Sequence, residues 1–201
     1  ILLHTRRSQR LPRRLWPVVE AQAECATAVW KSPDQGIWEA RGKPQHYVSS
    51  KLMCWVALDR AAKLAHLRGA GDLNVKWAAI ADEIRADIEK LGVSDRGVLR
   101  QHYETDALDA STLLAPILGF FPGDDERAHN SVLAIADDLT ENGFVPRDRT
   151  DESDAEQQRQ KACVGQGGDG LARVGESRHA ETEVAELVRR VVLDRPRPPS
   201  H

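Results

Sequence analysis

The chain is 201 residues long and poor in sulfur, with three cysteines and one methionine. Cys25, Cys54 and Cys163 lie far apart and are odd in number. That excludes a disulfide framework, and no zinc-type spacing occurs, so neither a metal nor a cofactor is expected. Cys25 and Cys54 fall within apolar helical patterns and are expected as buried free thiols in a reducing, cytoplasmic setting. Long apolar runs are also missing. The nearest, residues 113–121, is broken by Pro116 and Gly119 and falls short of the roughly 18 residues a bilayer span requires. Neither charge dominates: 28 Lys and Arg stand against 31 Asp and Glu, for a net charge of −3. That balance argues against a general polyanion binder, so no nucleic-acid partner and no membrane partner are expected. The first residues, Ile-Leu-Leu-His-Thr-Arg, show no Met and no signal-peptide layout.

What is present is helical periodicity. Residues 1–16, rich in arginine, read as an extended entry segment. Pro17 suits a first helical turn, and Val18, Ala21, Gln22, Cys25, Ala28 and Val29 follow 3-4 spacing up to Trp30. A longer helix is predicted over 47–67, with Leu52, Met53, Val56, Ala57, Ala61, Leu64 and Ala65 on a broad apolar face and Trp55 adding bulk. A third, over 73–91, carries Trp77, Ile80, Ala81, Ile84 and Ile88 on one stripe and charges behind it. A short apolar helix over 112–118 and an amphipathic one over 124–141 follow. Amphipathic and more apolar helices alternate, which suggests an outer and an inner layer. Three long connectors, beginning near 31, 93 and 144, would then enter the inner helices from one end and converge on one face. From about residue 155 the composition turns polar and then Gly-rich, so residues 155–201 are expected to be a mostly disordered tail and 1–154 the folded domain.

The first connector, Ser32-Pro33-Asp34-Gln35-Gly36-Ile37-Trp38-Glu39-Ala40-Arg41-Gly42-Lys43-Pro44, is too long and specific for a bare link. Trp38 beside Glu39 is a chemically useful pair. The ring can stack on a sugar face, and its low dielectric favours the protonated form of a neighbouring carboxyl. Read alone, the loop could equally carry a Trp that plugs a core edge and a solvated Glu. Residues 33–61 as a block resemble glycoside hydrolase family 15, the family of glucoamylases, glucodextranases and a bacterial trehalase branch. Leu3-His4-Thr5-Arg6 and Leu11-Pro12-Arg13-Arg14-Leu15-Trp16-Pro17 resemble what precedes the same loop in that family. The resemblance implies an all-α fold, a partial (α/α)6 barrel of about five helices in a chain that starts inside a longer protein.

It also implies an inverting hydrolase of α-glucosidic bonds, with trehalose, maltose or a short α-glucan as the sugar substrate. Such an enzyme needs two carboxyls about 6.5–9.5 Å apart, one protonating the leaving oxygen and one activating water. By resemblance Glu39 is the general acid and Trp38 part of the sugar-binding wall. Tyr103 and Asp106 lie in the second connector, where the family lines its cleft. Arg147 resembles the family's substrate-binding arginine, although Asp148 follows it where an aromatic is usual. Asp109 and Ser111 could line the cleft or cap a helix, and His46 and His102 could touch substrate or fill polar loop positions. The family's base sits in a Gly-Glu-Glu-Gly segment, and none occurs here: Thr150-Asp151-Glu152-Ser153-Asp154 is followed by Ala155-Glu156-Gln157-Gln158. The general base is therefore expected to be missing. Two other readings stay open, a non-catalytic helical-repeat binding module and an inactive, frame-disrupted remnant of the enzyme.

Overall fold

The computed structural model describes residues 12–122 and 124–139. Among these the chain is helical. A 3-10 turn, Arg13–Leu15, runs into α1 (Trp16–Val29), which is followed by α2 (Val48–Arg68), α3 (Gly71–Leu91), a 3-10 turn at Ala110–Leu113, α4 (Leu114–Leu118) and α5 (Glu126–Leu139). The only pairings between extended residues here are isolated bridges in the connectors. The expected disordered tail, Arg147 and Cys163 lie outside the described residues.

Helix α2 is the inner element. Val48, Leu52, Trp55, Leu58, Ala61, Ala62, Leu64 and Ala65 are all buried, and they occupy most of its circumference. The helices beside it bury one stripe each, Trp16, Val19, Ala23 and Ala26 on α1 and Trp77, Ala81, Ile84 and Ile88 on α3. Those 3-4 spacings are what an amphipathic helix requires to cover one neighbour. The most extensive packing among the described residues is α3 on α2, followed by α1 on α2. The alanines of α2 let its neighbours approach closely, and a fully buried Leu58 contributes on the order of 1.5–3 kcal/mol. Gly69, left-handed at φ 79°, closes α2 while the Ala70 N–H reaches back to the Ala65 carbonyl at 2.9 Å. The chain thus doubles back into α3, and the Asn74 amide donates to the Ala62 carbonyl across the turn.

Past α4, Phe120 and Phe121 enter the core. Phe120 meets Trp55 edge-on with ring centroids 5.0 Å apart. The Arg85 guanidinium lies over both rings, 4.8 Å from Trp55 and 4.5 Å from Phe120, and donates to the Phe120 carbonyl. On α5, Ala128, Ser131, Ala134 and Ile135 are buried. Ser131 accepts the Leu99 N–H at 2.9 Å, which fastens α5 to the second connector.

Three expectations need correction. Cys25 is exposed and Cys54 only half-buried. Position 25 lies about 200° around the helix from the buried Ala23, so 3-4 spacing counted from Val18 marked the wrong face. Met53 is likewise 46 % exposed, because α2 turns Leu52 and Trp55 to its partners instead. The fourth helix is α-helical only over Leu114–Leu118 and is preceded by a 3-10 turn that begins two residues before the expected start, drawn there by the side chain of Asp109, which caps Ser111. No helix among the described residues is long and apolar enough to cross a membrane.

Candidate active site

The first connector is closed at its base. Asp34 and Gln45 exchange backbone bonds of 2.9 and 2.8 Å in an isolated antiparallel bridge. The Asp34 carboxylate accepts from the Gly36 N–H at 2.5 Å and from the Ser50 hydroxyl at 2.9 Å, tying the loop to the first turn of α2. Lys51 anchors it from below. This lysine is only 2 % exposed, and its ammonium donates to the Trp30 carbonyl and, at 2.8 Å, to the Ser32 carbonyl. Those are carbonyls left open where α1 ends, which is why a buried cation is tolerated there. Burial holds the Lys51 pKa below the usual lysine range, against the pull of Asp34.

Inside this frame the chain turns sharply. Gly36 is left-handed at φ 68°, and a Cβ there would stand 2.9 Å from Cγ of the Tyr47 ring. The Glu39 N–H bonds to the Gly36 carbonyl at 3.2 Å and the Ala40 N–H to Gln35 at 2.8 Å. Glu39 itself sits at φ 50°, the one non-glycine residue with positive φ among the described residues. Such a conformation costs roughly 1–3 kcal/mol and is kept only where the surroundings over-determine it. The carboxylate is exposed to solvent. Trp38 is 39 % exposed, and its indole N–H donates to Oδ1 of Asp109 at 3.0 Å.

That last bond brings the two described connectors together, and others reinforce it. The Val48 N–H, at the open start of α2, is taken by the Gln101 carbonyl at 3.0 Å. Tyr47 bridges His102, and the Tyr103 N–H bonds to the His46 carbonyl at 3.2 Å. The rings follow the backbone: His46 stacks on Tyr103 at 5.7 Å, and Tyr47 meets His102 edge-on at 5.5 Å. Both connectors therefore lie at the N-terminal end of α2. A shallow depression lined by Lys63, His66, Leu67 and Asn74 lies at its other end, away from them.

The residues singled out from sequence are placed unequally. Trp38 reaches the second connector through Asp109, and Glu39, the next residue, is exposed. Tyr103 is half-buried, and its hydroxyl donates to Asp87 on α3 at 2.6 Å. Burial, with that bond to a carboxylate, pushes its pKa well above the tyrosine range. The Asp106 side chain is 78 % exposed and pairs with Arg100 at 3.0 Å. His102 accepts the Glu104 N–H on Nδ1 at 3.3 Å, and burial lowers its pKa. Arg147 lies outside the described residues. Sequence reasoning missed Lys51, whose only signal was a lysine on the same helical stripe as Val48 and Trp55. It left Asp109 between capping and cleft, and the carboxylate caps Ser111 at 2.7 Å while also holding Trp38.

The chain is 54 % identical over 154 residues to a trehalase of Mycolicibacterium smegmatis and 55 % identical over 152 residues to a trehalase of Mycobacterium tuberculosis. These alignments cover 77 % and 76 % of the chain but 23 % and 22 % of the relatives, so it spans less than a quarter of their length. A glycosidase solved in complex with glucose superimposes with a TM-score of 0.57 at 26 % identity, over 68 % of this chain and 41 % of that one. The helical array is thus a partial (α/α)6 barrel of the glycosidase type. The sequence model of glycosyl hydrolases family 15 matches residues 2–173, and the chain belongs to that family.

Proposed function

We propose that this chain is the acid-bearing part of an α-glucoside hydrolase that acts on trehalose by inversion. The observation that carries the reading is the placement of Glu39, an exposed carboxyl held at positive φ where two connectors meet, beside a half-exposed tryptophan. An inverting enzyme needs a proton donor fixed against the glycosidic oxygen and a wall on which the sugar ring can lie. Glu39 is the donor and Trp38 the wall. Tyr103 and Asp106, each bonded to a neighbour, line the cleft from the second connector, and Arg147 binds sugar hydroxyls. The trehalase relatives favour trehalose over maltose or longer α-glucans. The domain extends to about residue 154, and the general base is not carried by this polypeptide, which contains no Gly-Glu-Glu-Gly segment.

The test has two arms. The purified 201-residue chain should release no measurable glucose from trehalose or maltose, since an acid without a base and a closed cleft forfeits most of the acceleration. A complete trehalase relative whose matching segment is replaced by residues 12–139 should hydrolyse trehalose, and Glu39→Gln in it should lower kcat by at least about 10²-fold. Glucose release by the chain alone, or a Gln variant of undiminished kcat, would overturn the reading.

A further inference from the structure

We infer that Asp109 is a positioning residue for the acid, setting the direction of Glu39 through the indole of Trp38. The inference rests on the reading of Glu39 as proton donor, but its evidence is separate. Asp109 is 1 % exposed, at the end of the second connector. Its Oδ1 accepts two donors of different origin, the Ser111 N–H at 2.7 Å and the Trp38 indole N–H at 3.0 Å. The first bond is local and caps the 3-10 turn Ala110–Leu113. The second spans 71 residues of sequence and is a bond that capping does not require.

The consequence for Glu39 follows from the backbone. Trp38 and Glu39 are adjacent within the turn closed by the Gln35–Ala40 bond, and Glu39 occupies the left-handed region that L-residues avoid. A half-exposed indole with no fixed partner would leave that turn free to relax to negative φ, swinging the carboxyl away. Fixed to a buried carboxylate, the ring instead pins the residue before Glu39 on a rigid support, the helical start that leads into the core. An acid must be held to a few tenths of an ångström, and a misplacement of about 1 Å can cost on the order of 10²-fold in rate.

Two substitutions separate this role from capping. Asp109→Ser keeps a side chain suited to an N-cap but is too short to reach the indole. Asp109→Asn keeps an acceptor for both donors. In the 201-residue chain, Asp109→Ser should speed hydrogen exchange of the Trp38 indole by about ten-fold, the loss of one hydrogen bond, and should shift the Glu39 Cα and Cβ resonances out of the positive-φ range. Asp109→Asn should leave both near the parent values. Unchanged indole exchange and an unchanged Glu39 signature in Asp109→Ser would overturn the inference, as would loss of both in Asp109→Asn with the fold intact. These signals are read without substrate, so they can fail while the acid reading stands. Equally, Glu39→Gln in the transplanted enzyme can remain active while they hold.

Discussion

Gly36 is a tight point in the first connector, and replacing it with alanine separates two costs that are usually confounded. At φ 68° any Cβ meets the left-handed penalty, roughly 1–2 kcal/mol for one residue. The new methyl would also stand 2.9, 3.0 and 3.1 Å from three ring atoms of Tyr47. That ring is buried, packed edge-on against His102, and its backbone leads into α2, so it cannot simply swing aside. Overpacking of this kind adds about 1–3 kcal/mol, for a sum of roughly 2–5 kcal/mol. Two other glycines supply the controls. Gly69 has φ 79° with nothing within 4 Å of a built Cβ, so Gly69→Ala should show the backbone penalty alone. Gly42 has neither positive φ nor a close neighbour, so Gly42→Ala should stay within about 0.5 kcal/mol of the parent. Urea unfolding followed by tryptophan fluorescence ranks the three by midpoint. If Gly36→Ala proved no less stable than Gly69→Ala, the Tyr47 ring would not be the constraint and the loop would have to be looser than described.

Tyr103 and Glu39 offer two further tests. The raised pKa of Tyr103 means its buried bond to Asp87 stabilises the fold below the ordinary tyrosine pKa, about 10, and is lost as pH rises beyond it. The stability advantage of the parent over Tyr103→Phe should therefore be about 1–2 kcal/mol near pH 7 and shrink above pH 10, and an advantage that grew with pH would refute the assignment. Glu39→Gly relieves the positive φ without touching the supports around it, so thermal unfolding should show a gain of about 0.5–1 kcal/mol, whereas an unstrained turn would show a loss.

Much of the helical layer was legible because it follows from local rules. The stripe Trp77, Ala81, Ile84 and Ile88 repeats at 4-3-4, and such a stripe must face a core whatever that core is. Gly69 and Gly92 mark where α2 and α3 stop for reasons carried by the residue itself. What periodicity could not settle is which of two adjacent apolar positions turns inward, because that depends on the neighbour. Met53 and Cys25 fell on the wrong side for this reason. The start of α4 escaped for a related one. An apolar count begins at Leu113, while the turn is set by an aspartate four residues earlier that contributes nothing to hydropathy.

The site divides along the same line. Trp38-Glu39 drew notice as two unusual side chains adjacent in an irregular stretch, but the acid role expected of Glu39 came from the resemblance of residues 33–61 to the family. Its supports are long-range and polar, and nothing local announces them. A lysine at position 51 reads as surface charge until the open carbonyls of Trp30 and Ser32 are seen beneath it, 21 and 19 residues away. Asp109 could be read as a cap or a cleft residue; it is a cap, and the same oxygen also serves the other connector. Gly36 reads as a turn glycine, and its second reason, the ring of Tyr47, appears only once the loop closes on α2. A strained residue such as Glu39 needs supports from several directions at once, and those directions come from parts of the chain that periodicity treats as independent. The chemistry proposed for Glu39 can therefore be found in one short stretch, while the geometry that holds its loop is distributed over the α1 terminus, the first turn of α2 and the second connector.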